Sequence, residues 1–279
     1  MKPSSFATSS IWNFMKKKRF KLSPLIVFFL LSIWGSRDSY ATEGFLMTPD
    51  GVRLFYEHVE IAPEKEIGTV VLLHGWGMSY TEWAGFKEKL QEEGWSTMAF
   101  DFRGHGASIE AVGRQLDYRK MNSPHDRKLP LVDIRIVMEY LTTRKPIWMV
   151  GSSLGANYAI RYAASDKRIG GVVLIAPGYD SWKILARNTI GKYGSRPIMV
   201  IAARNNPWSF QTSVELREKA AGPKSFYVLE SGHDVEGIKD KIPLAGPILD
   251  WMNKQTMSLE LGPGAKVEVP LSGTISSSH

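Results

Sequence analysis

A chain of 279 residues, 43% hydrophobic and 23% charged, can bury an ordinary core, so disorder throughout is excluded. Its formal charge of +7 does not mark a nucleic-acid surface: seven of the 35 basic and one of the 28 acidic residues fall in 1–41, leaving 28 against 27 beyond, a net of +1. No cysteine occurs, which excludes disulfides and thiolate metal sites.

The first segment, 1–41, has a basic cluster at Lys16–Lys21 followed by the apolar run Pro24–Trp34 and small residues around Ser39-Tyr40-Ala41. This three-part layout predicts a secretory signal peptide and an exported, periplasmic or secreted, protein. The apolar run is shorter than the ~20 residues of a membrane span. Cleavage would leave no stable membrane span; an uncleaved leader would leave the chain membrane-anchored.

Beyond Ala41 strands and helices alternate, the pattern of a mostly parallel sheet covered on both faces. A hairpin comes first, Gly44–Thr48 and Val52–Val59 around the turn Pro49-Asp50-Gly51. Thr69–Leu73 is apolar at nearly every position, as a strand buried on both faces requires. Glu82–Glu93 reads as a helix with Trp83, Phe86 and Leu90 on one stripe, followed by strand Trp95–Phe100. A polar stretch, Ile109–Lys128, precedes a helix of about 14 residues starting near Pro130, a residue suited to a first helical turn. Strand Ile147–Val150, helix Leu154–Ala164, strand Gly171–Ile175 and a short helical insert around Tyr179–Ile190 follow. Strand Ile198–Ala202, helix Phe210–Ala220, strand Ser225–Leu229 and helix Lys239–Asn253 complete the series. The expected organisation is a leader at 1–41, one domain at 42–254 and a poorly ordered tail at 255–279 that ends Ser-rich.

Three stretches carry chemistry. Ile147-Trp-Met-Val-Gly151-Ser152-Ser153-Leu154-Gly155 runs a buried strand through Gly-x-Ser-x-Gly directly into a helix, the setting of a nucleophile elbow. So tight a turn needs small flanking residues and projects the Ser153 hydroxyl above the sheet edge. The helix start at Leu154 aims free amides and a positive dipole end at the same place, where an oxyanion would develop. Ser153 as a plain helix cap is the alternative, although Ser152 suits a structural role better. In Leu73-His74-Gly75-Trp76-Gly77 a strand ends in a sharp turn whose Trp76 amide becomes a second oxyanion donor beside Leu154, while His74 reads as a brace for the loop. In Asp101-Phe102-Arg103-Gly104-His105-Gly106-Ala107-Ser108, Asp101 and Arg103 read as loop organisers and His105 as a packing residue.

In this order the three motifs resemble those of the α/β-hydrolase superfamily, and within it the monoacylglycerol-lipase or serine-aminopeptidase-like group of esterases and lipases. The resemblance runs from about Gly68 to Trp251. It implies an α/β-hydrolase fold with about eight strands, a minimal cap and a site at the strands' C-terminal edge. It also implies Ser153 as nucleophile and His233, in Leu229-Glu230-Ser231-Gly232-His233-Asp234, as base.

The third triad member departs from the pattern. Where the family has an acid, Ala202-Ala203-Arg204-Asn205-Asn206-Pro207 offers Asn206. An amide still accepts a hydrogen bond but carries no charge, and the Asp-to-Asn change in a serine-protease triad lowers turnover by about 10⁴. Three readings stay open: Asp180, after the preceding strand, supplies the acid; Asn206 alone orients His233 in a slow enzyme; or catalysis is lost and the protein binds ligands. The expected activity is hydrolysis of carboxylic esters or related acyl compounds, carboxylesterase- or lipase-like, on a small-molecule acyl substrate with no metal or organic cofactor. The short insert between Asp180 and Arg196 implies a small cap. Trp76, Tyr80, Trp83, Tyr179 and Trp182 near the strand tips imply an open aromatic pocket suited to short or medium acyl groups.

Overall fold

The apolar runs become the middle of a sheet because their alternate residues find two separate cores. The structure, a computed structural model, describes residues 39–178, 186–230 and 244–261, with side chains 186–188 and 261 left aside. Its strands are β1 (Ser39–Met47), β2 (Arg53–Ile61), β3 (Gly68–Leu73), β4 (Trp95–Phe100), the short pair β5 (Glu110–Ala111) and β6 (Arg114–Gln115), β7 (Ile147–Ser152), β8 (Ile169–Ile175), β9 (Ile198–Ala203) and β10 (Lys224–Leu229). Along β3, Val71 and Leu73 enter one hydrophobic cluster while Val70 and Leu72 enter the other, as period-two alternation dictates.

Eight strands form one sheet in the order β1-β2-β4-β3-β7-β8-β9-β10. The pairs β1/β2 and β2/β4 are antiparallel and all others parallel. The helices are α1 (Phe86–Glu92), α2 (Pro130–Tyr140), α3 (Leu154–Ser165), α4 (Ala186–Tyr193), α5 (Pro207–Lys219) and α6 (Ala245–Leu261). Residues of α2 to α5, among them Ile134, Tyr158, Tyr193 and Leu216, pack on one face. Phe86 and Leu90 of α1 and Ile248 and Met252 of α6 pack on the other, with Trp83 and Trp148 buried among them. This is the doubly covered parallel sheet that the alternating pattern predicts, and its fold class is that of the α/β-hydrolases.

Several expected boundaries move. Glu82 and Trp83 belong to a 3-10 turn, Tyr80–Trp83, and the helix starts only at Phe86, because Gly85 interrupts it at φ +80°. The helix at Pro130 ends at Tyr140 and is shorter than expected. The polar stretch before it contains the β5/β6 hairpin and two 3-10 turns. Strand β1 begins at Ser39, within the segment read as leader, and pairs there with Ile61. At the other end α6 runs through Leu261, beyond the expected start of the tail at 255. Among the described residues no helix is long and apolar enough to cross a membrane.

Candidate active site

The junction of β7 and α3 places Ser153. Strand β7 ends at Ser152, α3 starts at Leu154, and the single residue between them takes φ 49°, ψ −112°. A non-glycine residue with positive φ is strained and must be held there. Its N–H donates to the Ile175 carbonyl at 2.8 Å, which ties the turn to the end of β8. The flanking glycines are steric necessities. A methyl on Gly151 would lie 2.5 Å from the Gly155 backbone, and one on Gly155 would lie 2.1 Å from the Leu73 carbonyl oxygen. The helix start therefore packs directly on the end of β3, and the Leu154 amide precedes the first intrahelical acceptor.

The loop after β3 lies beside this elbow. A methyl placed on Gly75 would sit 3.5 Å from Ser153 Cβ and 3.6 Å from both Ser152 Oγ and a Glu82 carboxylate oxygen. The Gly75 N–H donates to Glu82 Oε2 at 2.7 Å, and the Met78 N–H closes the turn onto the Gly75 carbonyl at 3.2 Å. Trp76 and Leu154, the two expected oxyanion donors, both border a narrow pocket whose walls include Phe102, His105, Tyr118 and Tyr158. Trp76 meets the Tyr118 ring edge-on at 4.8 Å. Tyr80 packs instead on Phe55, and Trp83 is fully buried in the core.

The histidines of these loops are structural. His74 is fully buried, its Nδ1 bonded to the Gly75 carbonyl at 2.7 Å and its Nε2 accepting from the Phe102 N–H at 3.0 Å. With Nδ1 donating, both ring nitrogens are used by the neutral form. Burial and neighbouring His105 push its pKa down to about 3. His105 stacks on Tyr118 at 4.3 Å, and burial lowers it to about 4. Asp101 accepts from the Tyr80 and Ala107 amides at 2.7 Å each, and burial raises it above the ordinary carboxylate range against those bonds. Arg103 is clamped between fully buried Asp133, at 2.6 Å, and Asp50, also at 2.6 Å. The hydrogen bond from Arg103 holds Asp50 down at about 2. All four residues build loops, as read from sequence.

Asp180 and His233 lie outside the described residues, as do Tyr179 and Trp182. Asn206 is described. It caps α5, its Oδ1 accepting the Ser209 N–H at 3.2 Å, with Pro207 at the first helical position. The strand end leading toward Asp180 carries its own strain: Ala176 has φ +48°, and together with Ser153 it makes up the non-glycine residues of positive φ among those described. Its N–H donates to the Ile201 carbonyl at 2.8 Å. Two positions on the next turn, Pro177 and Gly178, follow, and the Gly178 carbonyl accepts from Asn157 Nδ2 at 3.2 Å. Asn157 is fully buried one helical turn after Ser153. Neither Asn157 nor Glu82 stands out in sequence, since an Asn inside a helix and a Glu at a helix start carry no signal without their partners.

Comparison with known proteins bears on the family and the fold. The sequence model of the serine aminopeptidase S33 family matches residues 64–213. A non-heme chloroperoxidase of Burkholderia pyrrocinia is 29% identical over 129 residues, 46% of this chain and 41% of that one. A bifunctional esterase/perhydrolase of Acinetobacter calcoaceticus is 29% identical over 121 residues, 43% of this chain and 39% of that one. The chain thus matches about two-fifths of the length of these relatives. An esterase structure from Pyrococcus furiosus superposes with a TM-score of 0.63 at 20% identity, covering 80% of this chain and 96% of its own, which is a likeness of fold.

Proposed function

The chain belongs to the serine aminopeptidase S33 family, and on that premise we propose that it hydrolyses carboxylic esters or related acyl compounds through Ser153, His233 and an acyl-enzyme intermediate. The observation that carries this reading is the strained Ser153 backbone between Gly151 and Gly155, next to the Gly75–Trp76 turn. A serine that only capped a helix would need no such conformation, and its side chain caps no backbone amide here. The names of relatives that include an esterase/perhydrolase and a putative monoglyceride lipase of Schizosaccharomyces pombe favour acyl transfer chemistry.

In the proposed reaction His233 takes the proton of Ser153 as the hydroxyl oxygen attacks the acyl carbonyl. The Trp76 and Leu154 amides stabilise the tetrahedral oxyanion. The leaving group departs with the proton, and water releases the acyl-enzyme by the same steps. Asp180 is the acid assigned to orient His233. Asn206 caps α5 through its Oδ1 and, as an amide, brings no negative charge to stabilise a His233 imidazolium.

Labelling of the purified chain with a fluorophosphonate tests the reading. The wild type is expected to label, and Ser153→Ala to lose both label and ester hydrolysis. A wild-type chain that never labels would leave a ligand-binding protein on the same scaffold as the better description. The small cap read from the insert length further proposes short or medium acyl groups; comparable rates on butanoyl and hexadecanoyl esters contradict it. Export through the leader is likewise proposed, with N-terminal sequencing of the mature protein as its check.

A further inference from the structure

A carboxylate buried beside a reactive serine needs a reason, because burying a charge is costly unless hydrogen bonds compensate it. Glu82 is 1% exposed. Its Oε2 accepts the Gly75 N–H at 2.7 Å, and a methyl placed on Gly75 would lie 3.6 Å from its Oε1 and 3.5 Å from Ser153 Cβ. The backbone that holds it is short and fixed. Tyr80–Trp83 is a single 3-10 turn, the Glu82 N–H donates to the Ser79 carbonyl at 3.0 Å, and Trp83 next to it is locked in the core. The carboxylate therefore reaches back from a rigid turn onto the loop that precedes Trp76.

We propose that Glu82 is a positioning residue for the oxyanion site: its bond to the Gly75 N–H fixes the His74–Gly75 peptide, the one immediately before the peptide that carries the Trp76 N–H, and so helps aim the Trp76 amide at the carbonyl attacked by Ser153. The proposal rests on the serine-hydrolase reading above. Gly75 is bonded on both sides, its N–H to Glu82 and its carbonyl to His74 Nδ1 and the Met78 amide. The Gly75 carbonyl shares its peptide with the Trp76 N–H, so loss of the Glu82 bond releases the preceding peptide and lets the Gly75 backbone turn, which shifts the Trp76 amide about its carbonyl anchors. An oxyanion donor acts only within a few tenths of an ångström of its place, so a small rotation removes transition-state stabilisation while ground-state binding is kept. A bond to a charged acceptor is also the stronger kind, which suits a loop that must not move.

The test measures kcat and KM for a butanoyl aryl ester on the full chain, with active sites counted by fluorophosphonate labelling and folding followed by thermal melting. Glu82→Ala is expected to lower kcat per labelled site by about 10–100-fold, somewhat less than outright removal of an oxyanion donor, with KM changed less than about threefold. Glu82→Gln keeps a carbonyl acceptor for Gly75 and is expected to recover kcat to within about fivefold of wild type. Should Glu82→Ala fail to fold, Glu82→Asp withdraws the carboxylate by one methylene and is expected to show the same drop in kcat. An unchanged kcat per labelled site in the Ala variant, or in the Asp variant if that is the one that folds, overturns the proposal. A Gln variant as slow as Ala also overturns it, since the charge and not the bond would then matter. A wild type that labels while these variants behave so leaves the hydrolase reading intact; a wild type that never labels overturns both.

Discussion

At the scale of single residues, the proposed triad turns on which group orients His233. Asn206 holds the position where an acid is expected, yet its Oδ1 is bonded to the first turn of α5. If Asp180 supplies the charge, Asp180→Asn is expected to lower kcat by about 10³–10⁴ with KM little changed, as losing the negative charge of a triad does. Asn206→Asp should then change kcat by less than about tenfold. A large gain in that variant, with no loss at Asp180→Asn, would give the role to position 206. Asn206→Ala is expected to destabilise the fold by about 1 kcal/mol through the lost cap, visible in urea titrations. His74 shows why residue type alone misleads: a histidine on the loop beside Ser153 invites a catalytic role, but both its nitrogens are bonded and its ring is sealed.

Elements turn those residues into a site through steric closeness. The junction β7–Ser153–α3 leaves no room for a side chain at position 155, where an added methyl would meet the Leu73 carbonyl at 2.1 Å. Backbone, unlike a flexible side chain, does not yield at little cost. Gly155→Ala is therefore expected to lower stability by at least the 1–3 kcal/mol typical of overpacking, and to displace α3 from β3. A melting temperature within about 2 °C of wild type would contradict this packing, since 1 kcal/mol corresponds to about 2–4 °C in a domain of this size. Gly106 makes a matching case in the other loop, where a methyl would meet Asp101 Oδ2 at 2.0 Å. Glycines at these places mark close approach, which the motif spacing had already suggested for 151 and 155. The interruption of α1 at Gly85 was less legible, because the apolar stripe Trp83, Phe86, Leu90 continues across the break: all three fall in one core although they sit on two elements.

For the whole molecule, buried neutral histidines couple stability to pH. His74 and His105 are held at about 3 and about 4, below the ordinary value of 6.5, so the unfolded chain binds their protons first. Their contribution is complete above about pH 6.5 and is lost as pH falls toward the folded-state values; burial moves His58 in the same direction. Between pH 7 and pH 5 each of the two is expected to take about 2 kcal/mol from the unfolding free energy, measured by urea titration at both values. A flat profile over that interval would contradict their burial. The doubly covered sheet, the order of its parallel strands' sequence segments and the elbow at Ser153 were all legible in the chain, because apolar runs, turn residues and Gly-x-Ser-x-Gly are local patterns that encode local backbone. The role of Glu82 on Gly75, the bond of Asn157 to Gly178, the capping by Asn206 and the clamp of Arg103 between Asp50 and Asp133 were not. The contacts of Glu82, Asn157 and Arg103 join residues whose meeting is set by how elements stack, and only the fold brings them within hydrogen-bond reach, whereas the Asn206 cap is local and was hidden because its position was read for a place in the triad.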